Sequence, residues 1–75
     1  MYITEIIGKM VLDKNANIVG KVVDANVTFP GWEVKHLLVE IGLIKKLNIE
    51  IGKVDKMGDK VILNVAKDEL VKVII

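Results

Sequence analysis

Along this chain apolar residues come in short bursts that alternate with polar ones at a period of two, and glycines or Asn/Asp clusters separate the bursts. Lys9 to Leu12 is the first burst, and Asp13 to Asn17 follows with one Asp and two Asn. Those residue types favour turns and tolerate left-handed backbone. Ile18 to Thr28 is a second, longer burst. In it Val19, Val23, Ala25 and Val27 share one parity, and Val22, Asp24 and Asn26 take the other. Alternation of this kind predicts β-strand. A Gly-Lys step lies at or near the start of each burst, Gly8-Lys9 and Gly20-Lys21. A glycine in a strand marks a bulge, a bend or a close backbone approach, which a small sheet needs in order to curl.

The pattern continues with Phe29-Pro30-Gly31-Trp32, where proline and glycine occupy the two central positions of a type II turn. Glu33 to Ile41 then returns as a third strand, hairpinned to the second. Leu37, Val39 and Ile41 alternate there with Val34, His36, Leu38 and Glu40. Apolar residues on both parities predict a central strand covered on each face. Gly42 ends it, Leu43 to Asn48 reads as a mixed loop, and Ile49-Glu50-Ile51 as a short extended piece. Met57-Gly58-Asp59 is a tight turn into a strand at Lys60 to Val65, with Val61, Leu63 and Val65 inward. Ala66 to Leu70 suits one helical turn, and Val71 to Ile75 is a β-prone tail. Tyr2 to Ile7 is a lead-in, either a helical turn or an extended piece.

Composition narrows what such a β module does. Seventy-five residues make one domain with a small core, and no cysteine supplies a disulfide or a thiolate metal site. Hydrophobic residues reach 52%, more than a small monomer readily buries, so part of the apolar surface is expected to face another chain, as a homodimer or with a protein partner. All 11 basic residues are lysine and the formal charge is +1. Near-neutrality and the absence of arginine argue against nucleic-acid binding. Glu5 interrupts the apolar N-terminal run, which reads against a signal peptide. No apolar stretch approaches the ~20 residues of a membrane span. A cytoplasmic location without membrane insertion is the expectation.

The ordered pieces are similar to a known family. Gly8-Lys9 with Val11, Asp13 to Asn17, and Ile18 to Val22 resemble the opening of a PRC-barrel domain. Val34 with Leu37 to Gly42 resembles its central strand, and Ile49 and Val54 the segment after the loop. Gly58 to Leu63 with Asp68-Glu69-Leu70 resembles the closing strand and helical turn. The resemblance implies a mostly β fold, a small, partly open PRC-type β-barrel with a short helical turn near the C-terminus, over a single domain 1–75. The family occurs in the H subunit of photosynthetic reaction centres, in the ribosome-maturation protein RimM and as short stand-alone archaeal proteins. It implies a non-enzymatic interaction module with no catalytic motif and no cofactor. The stand-alone group further implies a cell-division adaptor that binds a SepF-type membrane anchor. An RNA-associated module and a small-ligand-binding barrel are the alternatives.

Candidate chemistry is sparse. His36 is the sole histidine, and a metal or acid-base role needs partners that the chain does not group with it. The carboxylates fall beside turns or alternate with lysines, as on a solvated face, and no serine offers a nucleophile. Phe29 and Trp32 flank the Pro-Gly turn, where they either fold back to close one barrel end or form an exposed anchor for a partner. Lys45-Lys46 sits beside Leu43, Ile44 and Leu47 in the expected loop. The tail at Val71, Val73 and Ile75 pairs either within its own barrel or with another chain's sheet. The candidate partner or dimer interface is therefore Phe29, Trp32, Ile44, Val71, Val73 and Ile75. No catalytic, metal or cofactor residue is assigned.

Overall fold

The computed structural model describes residues 2–43 and 45–71. Among them the chain runs α1 (Ile3–Ile6), β1 (Met10–Leu12), β2 (Ile18–Val27), β3 (Val34–Ile41), β4 (Lys45–Glu50), a 3-10 turn (Ile51–Lys53), β5 (Val54–Met57), β6 (Val61–Leu63) and α2 (Lys67–Val71). The strands form one six-stranded sheet in the order β4-β3-β2-β1-β6-β5. β1 and β6 pair in parallel and every other neighbouring pair is antiparallel. The sheet curls into a partly open barrel, as the resemblance implied. β4 and β5 are its two edges, and the 3-10 turn carries the chain from one to the other.

The inner face is a single aliphatic core. Val11, Val22, Leu37, Val39, Ile49, Val61 and Leu63 are fully enclosed, and Ile6 of α1 and Leu70 of α2 join the same cluster. Each such side chain contributes about 1.5–3 kcal/mol by leaving water. Helix α1 is set by Glu5, whose Oε2 accepts the Tyr2 N–H at 3.0 Å. It ends at Gly8, where φ of +93° lets the chain turn and donate its N–H to the Val22 carbonyl at 2.7 Å.

Bulges decide which residues reach this core, and they overturn the simple parity expected for β2. Val11 faces Gly20 while Leu12 faces Ile18, so Val19 is the inserted residue. Val22 faces Val39 while Asp24 faces Leu38, so Val23 is a second insertion. Core positions on β2 consequently fall three apart at Val19, Val22 and Ala25. Gly20 meets both expectations for a strand glycine: it lies beside a bulge, and a Cβ there would stand 2.2 Å from the Glu40 carbonyl oxygen. On β3, Leu37 and Val39 face the core, and the strand is paired on both sides. Its other face is not covered, and Leu38 there is only half-buried.

Four further expectations are corrected. Residues 45–50 are strand, because Leu47 and Ile49 drop into the core between exposed neighbours. That is a period-two pattern masked in the sequence by the adjacent lysines. The turn after β2 is not type II. The Phe29-Pro30 bond is cis, the positive φ (+56°) belongs to Trp32 and not Gly31, and closure runs i to i+4 from the Trp32 N–H to the Thr28 carbonyl at 2.8 Å. Val71, expected in a β-prone tail, is the last residue of α2, and residues 72–75 lie outside the described residues. β6 is also shorter than the expected strand, with Val65 still packed against the core.

Candidate interaction surface

The β2–β3 hairpin ends in two aromatic rings. Thr28 and Glu33 close its base through a 2.9 Å backbone hydrogen bond, with the Thr28 hydroxyl also donating to the Glu33 carbonyl at 3.3 Å. Phe29 and Trp32 stand beyond that base, 76% and 72% exposed. The alternative in which they fold back over a barrel end is thereby corrected, since the core takes its capping side chains from α1 and α2 instead. Their rings meet edge-to-face, with centroids 5.2 Å apart at 86°, an arrangement worth about 0.5–1.5 kcal/mol beyond area burial. The pair is therefore pre-organised while still in water.

Trp32, like Ala16 in the β1–β2 turn, carries a backbone cost. A bulky side chain at φ +56° sits in the left-handed region, disfavoured by about 1–2 kcal/mol. Beside the tip, Lys35 Nζ and Glu33 Oε2 pair at 2.8 Å. The hydrogen bond and charge of Lys35 hold the Glu33 carboxyl below its ordinary pKa. Both side chains are largely exposed, so the pair shapes the polarity of the rim and adds little stability.

The outward face of β2, β3 and β4 carries three cross-strand rows: Lys21–Glu40–Lys46, Asp24–Leu38–Asn48 and Asn26–His36–Glu50. A shallow open groove of about 520 Å³ crosses it, with Leu38 among its walls and Asp24, Asn26 and Asn48 as polar lining. His36 borders a smaller hollow with Glu50, and its Nδ1 is enclosed without a hydrogen-bond partner. Among the described residues no three His, Cys, Asp or Glu side chains converge on a point where a metal ion would sit. No described helix is long and apolar enough to cross a membrane.

Of the expected interface residues, the structure brings together only Phe29 and Trp32. Ile44, Val73, Ile75 and the Val71 side chain lie outside the described residues. The residue that sequence reasoning undervalued is Asp13, read as a turn former and found 1% exposed. Its Oδ1 accepts the N–H groups of Asn15 and Asn17 at 2.8 Å. Its Oδ2 accepts the Lys67 N–H at 2.8 Å and the Asn17 amide at 3.2 Å. Burial pushes this carboxyl up, but the donors outweigh it and hold the pKa at about 2. Asp13 thus ties the β1–β2 turn to the first turn of α2, 54 residues away. The Asp-x-Asn-x-Asn spacing was the available signal for the turn; nothing local announced Lys67.

Comparison with known proteins agrees with this architecture. Among curated proteins none matches the chain. The model of the PRC-barrel domain family matches residues 1–70 of the 75, spanning all six strands, and the chain belongs to that family.

Proposed function

We propose that this PRC-barrel is a non-enzymatic adaptor whose Phe29–Trp32 tip docks on a protein partner. The observation that carries the reading is the exposed, edge-to-face aromatic pair at the tip of the β2–β3 hairpin. Tryptophan and other large aromatics supply much of the energy of protein interfaces once a partner desolvates them. The near-neutral surface without arginine favours a protein over a nucleic acid as that partner. As the specific candidate for that partner we propose a SepF-type membrane anchor of the division ring, with the barrel working in the cytoplasm.

Trp32 is the sole tryptophan and so reports directly on its own burial. Titration with the SepF-type protein of the same genome is expected to shift its emission to the blue. Phe29→Ala is expected to weaken that binding at unchanged fold. Emission that stays at the solvent-exposed position at saturating partner removes the candidate. Binding that persists in a Phe29→Ala/Trp32→Gly variant removes the tip as its surface.

A further inference from the structure

We propose that β4 is a self-complementary edge through which two copies of this chain join their sheets. Among the described residues β4 ends the sheet on one side, so half of its backbone donors and acceptors face away from β3. Lysine on an edge strand ordinarily discourages pairing with other strands. On β4 it selects a register. Two antiparallel copies related by a two-fold axis normal to the sheet keep their faces aligned, so outward residues oppose outward residues. Centred on Asn48, this pairing sets Lys46 opposite Glu50 of the second copy, and Glu50 opposite its Lys46. On the inner face Leu47 and Ile49 come opposite each other. Centred on Leu47, it strands Lys46 against Asn48 and Lys45 against Ile49. Only the Asn48 register joins both charges; Leu47 and Ile49 are already enclosed in their own cores, so the charges alone select it.

Lys46 and Glu50 are exposed, and neither makes an ion pair among the described residues. Within the four residues of β5, the other sheet edge, no such register pairs opposite charges. In β5, the register centred on Asp55 sets aspartate against aspartate, and that centred on Lys56 sets lysine against lysine. Because the β4 contact is isologous, a single pairing satisfies both copies and gives a two-fold dimer. The axis places the two Phe29–Trp32 tips at opposite ends of the joined sheet. The interface itself does not rest on the reading of those tips.

The test is sedimentation velocity over a concentration series at low salt. It compares the wild type, Lys46→Glu, Glu50→Lys and an equimolar mixture of the two variants. The wild type is expected to dimerise. Each single substitution sets like charges opposite at both symmetric positions, weakening the dimer roughly tenfold or more. The mixture regains wild-type association, because every altered charge then faces its opposite. A wild type that stays monomeric, a dimer indifferent to both variants, or a mixture that fails to recover overturns the proposal. Lys46→Glu also meets Glu40 within its own sheet, so a second readout avoids substitution. Amide exchange across residues 45–50 of the wild type is expected to slow as protein concentration rises. Exchange that is independent of concentration overturns the edge pairing.

Discussion

At the scale of single residues, Asp13 and Trp32 show opposite uses of an unfavourable environment. Asp13 is a buried carboxylate made stable by four hydrogen-bond donors; Trp32 is an exposed ring on a disfavoured backbone. Because the folded pKa of Asp13, about 2, lies below its ordinary 3.8, its contribution is complete above pH ~4 and is lost as the pH falls toward 2. Asp13→Asn is expected to flatten the melting temperature over that window, and a variant with the wild-type acid profile would show that other carboxylates set it. Asp13→Ala leaves the Lys67 and Asn17 N–H groups without their acceptor and is expected to lower the melting temperature by roughly 5–10 °C. Trp32→Gly is expected to hold or raise stability by about 1 kcal/mol in urea melts, since glycine adopts positive φ freely. A clear loss of stability would mean that the ring is packed in solution. The sequence marked both positions as turn residues. It did not reveal that one is buried and the other exposed, because burial depends on α2 arriving beside Asp13 and on nothing covering the hairpin tip.

Elements were legible wherever alternation was uninterrupted, as in β1, the core of β3 and β6, and illegible wherever a bulge or a charge pair intervened. β4 was hidden by Lys45-Lys46, and the facing of β2 was scrambled by insertions at Val19 and Val23. Gly20 is the pivot of that curled region. Gly20→Ala drives a Cβ into the Glu40 carbonyl and against Val39 Cγ1 at 2.9 Å, backbone and enclosed core that have no room to yield. The expected cost is about 2–3 kcal/mol by chemical denaturation. A change within 0.5 kcal/mol would show that β2 and β3 separate locally without penalty, a figure typical of surface substitutions.

For the whole molecule, the open barrel implies a gradient of stability. β2 and β3 are paired on both sides and supply Val22, Leu37 and Val39 to the core, whereas β5 is an edge of four residues with exposed Asp55 and Lys56. Native-state amide exchange is expected to be slowest in β2 and β3, tracking global unfolding, and faster in β5 through local opening. Equal protection across all six strands would mean that the barrel is closed in solution.

By itself the sequence determined that this is a β module, with glycines placed for curling and pieces in an order similar to the PRC-barrel family. Those properties are local or compositional, so they can be read position by position. Tertiary structure alone decided which valines face inward, that residues 45–50 join the sheet as an edge, that Asp13 meets Lys67, and that Phe29 and Trp32 stay in water. Each of these is set by what another part of the chain places opposite: a bulge changes facing only relative to its partner strand, and a side chain is buried only if something arrives to cover it.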